Sequence, residues 1–232
     1  MVPSSRRLPV TDLSAWTIRP RPQRLPLESR LVRLEPLDAA RHGDGLYAAS
    51  TAPGAEERFR WLFEYPPADR ASFQPWLEKS AASEDPLFFA VVDKATGSVL
   101  GRQTLMRIDP AFGVIEIGNI CWGPGMARRP AATEAFFLFA RHVFDDLGYR
   151  RFEWKCNDSN EPSKRAAERF GFTFEGVFRQ HMIVKGANRD TAWFSIVDSE
   201  WPPLRKAFES WLDPANFDNG GKQVKRLEEF RL

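Results

Sequence analysis

VIEIGNICW at 114–122, GPGMARRP at 123–130, AATEAFFLFARHVFDDLGY at 131–149, RRFEWKCN at 150–157 and SNEPSKRAAERFGF at 159–172 follow one another almost without a gap and decide the fold. The first and fourth stretches read as strands. The third repeats its apolar residues at helical spacing, and the fifth is a shorter helix. Two strands joined by a helix make a crossover unit with parallel strands, and the Gly/Pro/Arg turn ahead of such a helix is a place where anionic ligands are held.

Upstream, residues 1–29 mix Pro3, Pro9, Pro20, Pro22 and Pro26 with arginines, which predicts an extended arm. LVRLE at 31–35 alternates as a half-buried strand does, and Pro36 closes it. Asp38 and Asp69 are N-caps for helices to about Ala49 and Ala82. Between these helices lies an aromatic-rich loop with one helical turn. LFFAVVD at 87–93 and residues 99–108 make a hairpin. Downstream, 175–184 and 191–197 form another antiparallel pair, and WPPLRKAFESWL at 201–212 a terminal helix with its prolines in the first turn. Residues 213–232 read as a polar tail jointed at Gly220-Gly221. The expectation is an α+β domain over 30–212, with a mixed, mostly antiparallel sheet of about seven strands, helices on both faces and one parallel pair.

Among 232 residues, 43% are hydrophobic, with 19 Phe and 8 Trp, enough for a substantial core. A formal charge of +2 gives no electrostatic case for nucleic acid or an anionic membrane. Cys121 and Cys156 make neither a disulfide framework nor a metal-ligand spacing, which points to a reducing compartment and no metal. Arg6 and Arg7 precede no apolar signal core, and no run is long enough to span a membrane. A cytoplasmic location is expected.

Several short words recur in order: EIG at 116–118, ATEA at 132–135, LGYR at 147–150, NEPS at 160–163, RFGF at 169–172, EG at 175–176 and DTAW at 190–193. Together they resemble the GNAT superfamily of acyl-CoA-dependent N-acetyltransferases over about 27–212, and within it the branch containing ribosomal-protein N-terminal acetyltransferases. The resemblance implies acetyl-CoA as co-substrate, no metal, and direct transfer to a primary amine, either a small molecule or a protein N-terminus. Oligomeric state is not fixed by the sequence, with which a homodimer is compatible. A non-catalytic acyl-CoA-binding or regulatory module of the same fold is the alternative.

The resemblance also assigns sites. The phosphate loop of the family, Gln/Arg-x-x-Gly-x-Gly/Ala, falls on Ala127, Pro130 and Ala132, so its leading Gln/Arg and central glycine are missing. Arg128 and Arg129, with the helix start at Ala131, Ala132 and Thr133, are expected to hold the diphosphate instead. The resemblance implies a GNAT-like splayed parallel pair, with Ile120, Cys121 and Trp122 of the first strand along the pantetheine arm. Glu116, on a strand face with Gly118, Ile120 and Trp122, is the preferred base, with Glu153 and Asp158 as rivals. Asn160 would contact the cofactor arm, and Ser163 would stand where other members use tyrosine, hydrogen-bonding the leaving thiolate or capping the helix. Trp61, Tyr65, Arg102 and Trp193 are assigned to the acceptor, with Phe63, Trp76, Gln103 and His181 nearby. Cys121 and Cys156 are read as structural.

Overall fold

The computed structural model describes residues 12–231; residues 1–11 of the arm and Leu232 lie outside the described residues. Its strands are β1 (Leu27–Glu28), β2 (Val32–Pro36), β3 (Leu87–Asp93), β4 (Val99–Asp109), β5 (Val114–Trp122), β6 (Arg151–Asn157), β7 (Thr173–Val184) and β8 (Ala187–Val197). The helices are α1 (Ala39–Thr51), α2 (Ala55–Phe59), α3 (Arg70–Ala82), α4 (Pro130–Arg141), α5 (Glu161–Phe170) and α6 (Trp201–Leu212). All eight strands join in one sheet, ordered β1-β2-β3-β4-β5-β6-β8-β7. Only β5–β6 is parallel. The strand beyond the expected seven is β1, inside the stretch read as an arm.

LFFAVVD is apolar throughout because both faces of β3 are covered. Leu87, Phe89 and Val91 point into the cluster built on α4, α5 and α6. Phe88 points into a second cluster with Leu46, Phe73 and Leu77 of α1 and α3. At the centre of the larger cluster Phe136 stacks on Phe170, with ring centroids 4.4 Å apart, which binds α4 to α5. Glu134, buried on α4, accepts the backbone N–H groups of Leu31 and Val32 at 2.6 and 2.8 Å and so ties that helix to the start of β2. The helix expected within 131–149 changes at Arg141 into a π turn over His142–Asp146, in which the Leu147 N–H reaches the His142 carbonyl.

Both ends pack more closely than their composition suggests. Trp16 donates to the Ala111 carbonyl at 2.8 Å and lies over Gly113, where an added Cβ would come within 2.6 Å of the indole. At the other end, Leu227 is fully buried and Trp211 donates to Gln223 at 2.9 Å. Gly220-Gly221, read as a joint, is the tip of a turn closed by the Asp218 N–H on the Lys222 carbonyl.

Candidate active site

The parallel pairing of β5 with β6 runs only from Val114–Arg151 to Ile117–Trp154. Beyond it, β5 stays with β4 and β6 with β8, so the two strands part. The cause is a bulge in β5. Thr104 opposes Gly118 but Arg102 opposes Cys121, so β5 has one residue more than β4 there, and Asn119 has φ +48°. Arg102 and Thr104 hold the bulge by donating to the carbonyls of Asn119, at 3.0 Å, and Gly118, at 2.9 Å.

Where the strands part lies a cavity of about 360 Å³. Glu116 through Ile120 form one side, Trp154 through Asn157 another, and the first turn of α5 a third, with Trp61 and Phe63 across from them. A side chain at Gly118 would strike the Met106 sulfur at 2.4 Å, so glycine keeps this wall thin.

Glu116 is 4% exposed. Lys155 Nζ lies 2.9 Å from Glu116 Oε2 and 2.7 Å from Glu153 Oε2, while Arg107 Nε lies 3.2 Å from Glu116 Oε2. Burial nevertheless pushes the Glu116 carboxyl up, against the pull of Lys155 and Arg107 and with a further push from Glu153. A raised carboxyl suits proton transfer near neutral pH. Glu153 stands behind Lys155, and Asp158 pairs with Lys164 at 3.3 Å; neither lines the cavity.

Asn160, not Ser163, caps α5: its side chain accepts the Ser163 N–H at 3.2 Å. The Ser163 hydroxyl accepts the Trp154 indole N–H at 2.9 Å. An indole can only donate, so the hydroxyl hydrogen is left for another partner. Burial pushes both cysteine thiols up, against a nucleophilic role.

A second cleft, about 490 Å³, opens at the start of α4 between Arg128, Arg129, Pro130, Ala132 and Thr133 on one side and Ala166, Arg169 and Phe170 of α5 on the other. Pro162, Ser163, Ala166 and Arg169 recur at three- and four-residue spacing, so one face of α5 serves both cavities. Arg128 has φ +56°, and Arg129 is the N-cap with no side-chain bond to the helix, leaving its first turn without a cap. Arg169 donates to Thr133 Oγ1 at 2.9 Å and lies 5.1 Å over the Trp211 ring. Burial works against its charge and pushes its pKa down. The segment after α6 closes the cleft with Phe217, Gly221, Lys222 and Gln223.

A family model described as "Acetyltransferase (GNAT) domain" matches residues 32–173, more than half of the chain and both cavities' walls on β5, α4, β6 and α5. The chain belongs to the GNAT acetyltransferases. A GCN5-related N-acetyltransferase of Brucella melitensis superposes with TM-score 0.92 at 67% identity, covering 93% of this chain and 98% of that one. The uncharacterized N-acetyltransferase p20 of Bacillus licheniformis is 30% identical over 117 residues, 49% of this chain. The match spans 63% of p20, less than two thirds of that relative's length. The self-immunity acetyltransferase MccE, solved with acetyl-CoA and AMP, shares the fold at TM-score 0.63 and 22% identity, over 73% of this chain and 93% of that one.

Within this GNAT acetyltransferase, the bulge corrects part of the cofactor-side assignment. It turns Cys121 onto the face of Glu116 and Gly118, and Trp122 onto the opposite face, where Trp122 donates to Gln103 at 3.2 Å. Of Ile120, Cys121 and Trp122, only Ile120 lines the central cavity. Of the acceptor residues, Trp61 lines it and Tyr65 does not; Tyr65 is 67% exposed, with Lys185 Nζ 4.4 Å over its ring. Arg102 is buried, stacked over Trp76 and paired with Glu64, and serves the bulge instead. Trp193 stands behind Lys155, whose Nζ is 3.7 Å from its ring centroid. His181 bonds Thr191, a residue of the cavity wall, at 3.0 Å and does not itself line the cavity.

Lys155, Arg107, Arg189 and Lys222 stand in no family word and were not singled out from sequence; Arg169 opens the word RFGF at 169–172, but no site role was assigned to it. Among the described residues, no group of three or more His, Cys, Asp or Glu could hold a metal ion, and no helix is long and apolar enough to cross a membrane.

Proposed function

We propose that this acetyltransferase transfers the acetyl group of acetyl-CoA directly to a primary amine, with Glu116 as base. The observation that carries the reading is the parting of β5 from β6 beside a buried carboxyl that lines the resulting cavity. The cleft at α4 suits the diphosphate, because helix N–H groups, Arg128, Arg129, Arg169 and Lys222 converge there and no carboxylate lines it. The side-chain cations and Thr133 supply what Pro130, lacking an N–H, does not.

Bound acetyl-CoA supplies an activated thioester carbonyl. Glu116 takes up the proton that the attacking amine gives up, and the paired Lys155 and Arg107 keep the carboxylate oriented. Ser163, already accepting from Trp154, turns its hydroxyl hydrogen toward the leaving sulfur and stabilises the negative charge that develops there. Asn160 holds the first turn of α5 against the same cavity.

The test is amine-dependent thiol release from acetyl-CoA, compared between wild type and Glu116→Gln. Acetylation that is lost in Glu116→Gln while acetyl-CoA still binds supports the assignment. Full turnover by the variant would remove Glu116 from the chemistry.

A further inference from the structure

The central cavity carries more positive charge than its own residues answer. Arg58, Arg107, Lys155 and Arg189 line it, against Glu57 and Glu116. Three of the cations are accounted for. Arg58 donates to the Pro53 carbonyl at 2.7 Å and to others at the end of α1. Lys155 sits between Glu116 and Glu153, and Arg107 lies against Glu116.

Arg189 on β8 is left over. It is 8% exposed, yet its side chain makes no hydrogen bond or ion pair among the described residues, and its Nε is buried without a partner. Its guanidinium carbon lies 5.2 Å from the centroid of Phe63, itself part of the cavity wall. Burial pushes its pKa down, with Arg107 adding to the effect and Cys156 and Glu116 opposing it. Burying a guanidinium without a hydrogen-bonded counter-charge is costly, and Glu116, already paired with Lys155 and Arg107, forms no ion pair with it. An oxyanion delivered by a ligand would offset that cost, because the planar fork of arginine matches a carboxylate or phosphate with two parallel hydrogen bonds.

We propose that the acceptor is a small primary amine carrying a carboxylate or phosphate group, and that Arg189 binds this group while the amine is presented to Glu116. This rests on the transferase reading above and narrows its acceptor from amines in general to anionic ones. A cavity of about 360 Å³ suits a metabolite-sized molecule. The uncharged backbone of an ordinary peptide N-terminus would leave Arg189 unanswered.

The experiment pairs each anionic amine with its neutral counterpart: β-alanine with its amide, phosphoethanolamine with ethanolamine. In wild type, kcat/KM is expected to favour the anionic member by about 10- to 100-fold, the range of charge-assisted hydrogen bonds. The pair showing the larger preference tells carboxylate from phosphate. In Arg189→Gln the ratio is expected to fall to within about threefold, mainly through KM, with Arg189→Lys between the two. Equal rates for both members in wild type, or a preference that survives Arg189→Gln, would overturn the proposal. Should no amine release thiol, the transferase reading fails by itself, and calorimetric titration with succinate and inorganic phosphate decides the anion site. Saturable binding lost in Arg189→Gln supports it, and no binding, or binding unchanged by the substitution, overturns it. Arg189→Met, of similar volume and no charge, is expected to melt no lower than wild type. A fall of several degrees would make Arg189 a structural residue and overturn the proposal.

Discussion

At the scale of single residues, two opposing demands meet at Glu116. Its carboxyl must be buried to feel the raised pKa, and it must touch the cavity to be reached; the parting of β5 from β6 provides both. Because the shift is upward, activity is expected to fall with decreasing pH at a point above the ordinary glutamate value of about 4.3. Glu116→Gln should abolish that acid limb and lower kcat by about 10²- to 10⁴-fold. A pH–rate profile of both proteins checks this, and an unchanged acid limb in the variant would assign it elsewhere. Ser163→Ala removes the hydroxyl but leaves the Asn160 cap, whose acceptor bond goes to the backbone N–H of residue 163. Its effect is therefore expected in kcat, about 10- to 100-fold, together with a modest fall in melting temperature because the buried Trp154 indole N–H loses its acceptor. An equal loss with a leaving group of much lower pKa than coenzyme A would argue against thiolate stabilisation.

At the scale of elements, the start of α4 combines a helix end with a strained residue. Arg128 holds φ +56°, a conformation that costs a non-glycine residue about 1 kcal/mol or more. Arg128→Gly relieves that strain and removes the charge. It is expected to melt no lower than wild type and yet bind acetyl-CoA about tenfold more weakly at low salt. Arg129→Ala should show a similar affinity loss without the gain in backbone freedom. Both losses should shrink as ionic strength rises. Calorimetry at two salt concentrations measures this; affinities equal to wild type for both variants would place the diphosphate elsewhere.

At the scale of the whole molecule, residues beyond α6 connect stability to the nucleotide cleft. Leu227 is fully buried in the main core, while Lys222 and Gln223, a few residues earlier, face the cleft. Leu227→Ala is expected to lose about 2–5 kcal/mol of stability and to weaken acetyl-CoA binding with it, because the wall of the cleft loosens. Lys222→Ala should weaken binding alone. Chemical denaturation and calorimetry on the two variants separate the effects, and intact binding in both would detach this segment from the site.

From β2 onward the order of strands and main helices, the crossover at 114–157, the helix caps at Asp38 and Asp69 and the polar start of α5 were written in the local sequence. Periodicity, capping residues and family words act over a few neighbours, so they could be read without the fold. The extra residue in β5, which exchanges the faces of Cys121 and Trp122, could not: a bulge is defined by the partner strand, and alternation counted along one strand assumes that none is present. The same limit hid the cations. Lys155 gains its role from Glu116 and Glu153 on either side, Arg189 from having no carboxylate within ion-pair distance among the described residues, and Lys222 from a turn that closes the cleft at α4. Sequence determined which secondary structures form and which family they build; only tertiary structure decided which charges are answered and which are left for a ligand, because ion pairing and desolvation depend on distance through space.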